Sequence, residues 1–69
     1  MSKDYSKIIL RLRVKLNVSQ SELAKLLNVT FASVSRWENS HHEPSKISKV
    51  KITDLCLKNG IIIDEEDSL

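Results

Sequence analysis

Few side chains in this sequence could do covalent or coordination chemistry. His41 and His42 stand beside Glu43, a trio that could approach a metal ion. Adjacent residues in one loop, with no further His or Cys ligand, make a poor tetrahedral site. Cys56 is the single cysteine, so there is no disulfide framework and zinc binding is not expected. A Ser-His-Asp or Cys-His nucleophile needs an oriented base and a pocket, and both histidines share one polar loop. The expectation is no catalysis, no metal, no cofactor and no small-molecule substrate. What remains is recognition by charged and amide side chains.

The distribution of charge says what those side chains could recognise. The formal net charge is +2, but residues 1–60 hold all 11 Lys and Arg against Asp4, Glu22, Glu38, Glu43 and Asp54, a net +6. Asp64, Glu65, Glu66 and Asp67 follow with no base, a net −4. A basic body with an acidic end suits an anionic partner, nucleic acid or a membrane surface, although a solvated lysine-rich surface would show the same counts. The apolar runs, such as residues 8–10 and 61–63, are three residues long and far too short to span a membrane. With 69 residues there is room for one core of modest stability. A soluble, cytoplasmic protein with no membrane partner is expected. The organisation reads as a domain over residues 1–60 and a short apolar, then acidic, tail over residues 61–69.

The elements that must position any site are helices. One Gly, one Pro and no sustained alternation of β-branched with polar residues leave an all-β fold little to build on. Residues 6–16 place Ile9, Leu12, Arg13 and Leu16 on one helical face, with Asn17 as a stop. Ser19 and Glu22 form a Ser-x-x-Glu capping box, and Val18 and Leu23 a hydrophobic staple. The helix they open carries Leu23, Ala24, Leu26 and Leu27 and ends at Asn28, a residue that tolerates a left-handed backbone. Thr30 caps a third helix of about nine residues with Val34 and Trp37 inward and Ala32, Ser33, Ser35 and Arg36 outward. After a polar loop over residues 40–44, Ser45 caps a fourth helix that runs to Asn59, where Gly60 stops it and Ile61 folds back. Cys56 fills core space as a small apolar residue.

A small residue inside the first of two short helices, with apolar residues flanking a three-residue turn, lets the pair cross closely. Ala24, Leu27, Val29, Val34 and Trp37 meet that requirement. At residues 19–40 the stretch SQSELAKLLNVTFASVSRWENS resembles the phage-repressor and Cro-like helix-turn-helix family, also called the xenobiotic-response-element family. The likeness covers residues 12–45, from the Ser-Gln start through the Glu-Leu-Ala core and turn to the closing Trp-Glu-Asn. It implies an all-α, lambda-repressor-like DNA-binding domain of about four helices that acts as a sequence-specific transcriptional regulator, repressor-like and dimeric, on double-stranded DNA.

Carried over residue by residue, the resemblance places the third helix in the major groove and the second across the backbone. Ser33 and Arg36 would lead base reading, with Arg36 donating to guanine O6 and N7. Phe31 and Ala32 would offer apolar contact to a thymine methyl, although Phe31 could instead pack inward. Gln20 would hold a phosphate beside the free N–H groups of its helix start, and Thr30, Asn39 and Lys46 are further phosphate candidates. The resemblance also implies an ion pair between Arg13 and Glu38. The family commonly has a fifth helix, and none is expected within the residues after Gly60. Ile62 and Ile63, without partners in the last helix, are expected to serve self-association. The rival reading is a protein-interaction module, such as an antitoxin or a targeting domain of a larger assembly, gripping its partner through residues 61–69.

Overall fold

A computed structural model of the chain describes residues 4–63. They form four helices, α1 (Tyr5–Leu16), α2 (Gln20–Leu27), α3 (Phe31–Glu38) and α4 (Lys46–Lys58), with no strand among the described residues. The all-α, lambda-repressor-like fold expected above is the fold observed.

All four helices begin in the same way. The side chains of Asp4, Ser19, Thr30 and Ser45 each accept from the backbone N–H three residues on, satisfying one of the donors a helix start leaves free. At α2 the cap is reciprocal: Ser19 Oγ accepts from the Glu22 N–H at 3.1 Å while the Ser19 N–H donates to Glu22 Oε1 at 2.8 Å. The first helix starts one residue before the expected position because Asp4 takes the capping role.

The ends are as uniform as the starts. Asn17, Asn28, Ser40 and Gly60 adopt positive φ between 56° and 73°. The N–H of the residue after each one returns to a carbonyl five positions back: Val18 to Arg13, Val29 to Ala24, His41 to Arg36 and Ile61 to Cys56. This is the Schellman closure, which satisfies carbonyls the helix can no longer use. At α3 the left-handed residue is Ser40, and Asn39 precedes it with φ of −89°.

Six side chains with essentially no exposure, Ile9, Leu12, Leu23, Val34, Ile52 and Cys56, bring all four helices to one core. Tyr5 and Ile8 join them from the start of α1, outside the expected apolar face. Leu26 is 56% exposed, against the expectation that it helps bury α2. On α4 the buried pair is Ile52 and Cys56, four apart and so on one face, whereas Ile47 and Val50 face solvent. Burial pushes the Cys56 thiol up, which keeps it a protonated, apolar filler. Lys49 holds the α3–α4 loop by an ion pair with Glu43 at 2.7 Å and lies 5.4 Å from the centre of the Tyr5 ring.

The chain after Gly60 corrects one expectation. Ile61 and Ile63 are both buried in the core and only Ile62 is exposed, so Ile63 is part of the folded unit and not a free contact residue. The acidic segment at 64–69 lies outside the described residues.

Two measurements test this local logic. A Cβ on Gly60 would meet nothing within 4 Å, so Gly60→Ala carries only backbone strain at φ +73°. It should lower unfolding free energy in urea by about 1–2 kcal/mol, with Gly60→Asn losing less. The hydrogen bond from the Ser19 N–H holds the Glu22 carboxyl below its ordinary value. A lowered folded-state value means that this carboxylate stabilises the fold fully above the ordinary glutamate range and loses that contribution as pH falls through the lowered value. Glu22→Gln should therefore flatten the acid limb of a stability-versus-pH curve and leave its slope near neutrality unchanged.

Candidate nucleic-acid interface

The site is built around the carboxylate of Glu38, the last residue of α3. Arg13 Nη1 donates to both of its oxygens, at 2.9 and 2.8 Å, and Gln20 Nε2 donates to Oε1 at 2.7 Å. Arg13 Nε also donates to the Val18 carbonyl at 3.3 Å. One carboxylate thus joins α1, the α1–α2 turn, the start of α2 and the end of α3. The Arg13 and Glu38 side chains are 27% and 16% exposed, so water screens the pair only in part.

With its carboxyl end anchored, α3 buries Val34 and Trp37 and presents the other side outward. Phe31, Ala32 and Arg36 are exposed there and Ser33 is half-buried. Phe31 points outward with 54% exposure, which settles its direction among the two left open by the sequence. Arg36 has no hydrogen-bond or ion-pair partner among the described residues, so its guanidinium donors face solvent. The Ser33 hydroxyl accepts from Thr30 Oγ1 at 2.9 Å and keeps its own proton for a further acceptor.

The candidate phosphate residues divide by how committed they are. Thr30 Oγ1 caps α3 by accepting from the Ser33 N–H at 3.1 Å. Asn39 Nδ2 donates to the Ser35 carbonyl at 2.8 Å and so closes the end of α3. Gln20 spends one amide hydrogen on Glu38, leaving a second hydrogen and the carbonyl oxygen. Lys46, the first residue of α4, is exposed and unpaired among the described residues. Gln20 is brought against Glu38 at the end of α3, whereas Lys46 follows the loop over residues 39–45. The Gln20–Glu38 contact was not foreseen. Glu38 is the only charged acid on α3, and a lone acid beside an inward Trp37 is the signal that could have marked it as a structural acceptor.

Two short helices joined at a three-residue turn, the second with an exposed face and an end held by a part-buried ion pair, define a helix-turn-helix DNA-binding domain. A helix-turn-helix family model matches residues 9–53, about two thirds of the chain. The protein belongs to the Cro/C1-type helix-turn-helix family, which is the phage-repressor and Cro-like family, and is a DNA-binding regulator in that general sense. No curated protein and no solved structure matches the chain. No helix is long and apolar enough to cross a membrane, and no group of three or more His, Cys, Asp or Glu could hold a metal ion, among the described residues.

The anchoring role of Glu38 is measurable. Glu38→Gln keeps an acceptor for Gln20 but leaves Arg13 without its countercharge, at a cost of about 2 kcal/mol in urea unfolding. Arg13→Gln added to Glu38→Gln should cost little more, because the two residues act as one unit. Additive losses would show that the pair is uncoupled.

Proposed function

We propose that the protein is a sequence-specific, repressor-like transcriptional regulator that binds double-stranded DNA as a homodimer in the cytoplasm. The observation that carries the reading is the outward face of α3, where Arg36 is exposed and unpartnered while the opposite face is locked to the core. In this reading Arg36 donates to guanine O6 and N7, Ser33 offers its hydroxyl, and Ala32 and Phe31 meet a thymine methyl. Gln20, Thr30, Asn39 and Lys46 hold phosphates around that contact and fix its register.

In this reading the phosphate candidates also differ in how they make contact. Lys46 meets the backbone as a free charge, whereas Gln20 reaches it with an amide already oriented by Glu38. An oriented donor loses less side-chain freedom on binding. The basic body, with its net +6 over residues 1–60, supplies the sequence-independent attraction.

Selection of bound sites from random duplexes should return a palindromic consensus with half-sites about one helical turn apart. Arg36→Ala should cost about 1–3 kcal/mol and relax preference at one base pair of the half-site. Lys46→Ala should weaken all duplexes alike and reduce the salt slope by about 1 per copy. Equal weakening of specific and random DNA by Arg36→Ala would remove it from base reading. Binding to an isolated partner protein that is indifferent to salt, with no selected duplex, would instead favour the protein-interaction module.

A further inference from the structure

The chain has one Tyr, one Trp and one Phe, and the fold buries two of the three. Tyr5 and Trp37 are in the core, whereas Phe31, the first residue of α3, is 54% exposed. At about 100° per residue, Phe31 and Arg36 lie about 140° apart around α3, with the exposed Ala32 between them. They are also about 7.5 Å apart along the helix axis, roughly two base-pair steps, so they address different base pairs. An apolar ring gains little from most of what the major groove displays. Base edges present hydrogen-bond donors and acceptors there, and their one apolar group is the methyl on C5 of thymine.

We propose that Phe31 reads the C5 methyl group itself, so that 5-methylcytosine is accepted in place of thymine and DNA binding responds to cytosine methylation. The inference rests on the base-reading role given to α3 above and names the chemical group that is read.

Thymine and 5-methylcytosine carry the same methyl at the same ring position. They differ at C4, where thymine offers an acceptor oxygen and cytosine a donor amino group. Telling them apart takes a side chain of fixed polarity, and the reading end of α3 has none. Glu38 is the only acid on the helix, and both of its oxygens are engaged by Arg13 and Gln20. The Asn39 amide nitrogen is spent on the Ser35 carbonyl. Ser33 accepts from Thr30 Oγ1 and keeps a proton and a second lone pair, so its hydroxyl meets either C4 group. The methyl is therefore the feature by which this position is chosen. An unmethylated cytosine there leaves the ring facing a C–H edge, and methylation fills the gap.

Selection of bound duplexes with the native protein and with Phe31→Ala locates the pyrimidine whose preference depends on the ring. Binding is then measured with thymine, deoxyuridine, cytosine or 5-methylcytosine at that position. Thymine should bind about fourfold tighter than deoxyuridine, and 5-methylcytosine about fourfold tighter than cytosine, per half-site, the worth of one buried methyl. Phe31→Ala should bring both ratios close to one while keeping the guanine preference that Arg36→Ala removes, and Phe31→Leu should retain most of both. Phe31 is outside the core, so helical circular dichroism should be unchanged in both variants. Equal binding of cytosine and 5-methylcytosine, ratios that survive Phe31→Ala, or the same consensus selected with and without the ring would each overturn the proposal. A protein that selects no duplex overturns the regulator reading and this inference with it, whereas methyl-indifferent binding to a selected duplex overturns this inference alone.

Discussion

The carboxylate of Glu38 is the point on which the orientation of α3 depends. Short helices have little stability of their own, and α2 and α3 have eight residues each. Their directions must be set by contacts at their ends. Three hydrogen bonds to one carboxylate fix the end of α3 to α1 and to the start of α2 at the same time. Val34 and Trp37 then set the rotation of α3 about its own axis by burial. A direction fixed by polar bonds and a rotation fixed by apolar packing together place Arg36 and Ala32 outward.

The two connections around α2 solve one problem twice. Asn17-Val18-Ser19 joins α1 to α2 and Asn28-Val29-Thr30 joins α2 to α3. In each, the Asn turns left-handed and ends one helix, the Val packs on the core, and the hydroxyl residue caps the next helix. Three residues suffice because each has a single duty and no duty is shared. A longer connection would let the helices slide, and the Glu38 carboxylate would no longer meet Arg13 and Gln20 together.

Local duties of this kind are legible in sequence, which is why the caps at Ser19, Thr30 and Ser45 and the stops at Asn17, Asn28 and Gly60 could be read from residue type alone. Duties that depend on where another element lies are not. Tyr5 and Ile8 are buried in a core shared with Trp37, Ile52 and Cys56 of later helices, and no period in α1 announces that company. Ile63 is buried because the Gly60 turn sends the chain back over the core, which places alternate residues of an isoleucine triplet on opposite sides. Gln20 had an attractive role at a helix start, and its bond to Glu38 required knowledge of how α2 and α3 cross. The outward direction of Arg36 was legible because it follows from helical phase relative to Val34 and Trp37 alone.

Polar anchoring also explains how so small a chain can keep a large fraction of its apolar side chains on the surface. Leu10, Val14, Leu26, Phe31, Ile47, Val50, Leu57 and Ile62 are all exposed among the described residues. A core of this size would gain from burying some of them, since each covered Leu or Ile is worth about 1.5–3 kcal/mol. None can turn inward without displacing a residue that is already fully buried and close-packed. Their cost in the free monomer is offset by helix caps at both ends of every element and by the Glu38 bonds, which need no core volume. Exposed apolar surface of this extent is characteristic of a protein that buries it against something else. On α3 that exposure, at Phe31 beside Arg36, belongs to the face that the proposed function turns toward DNA.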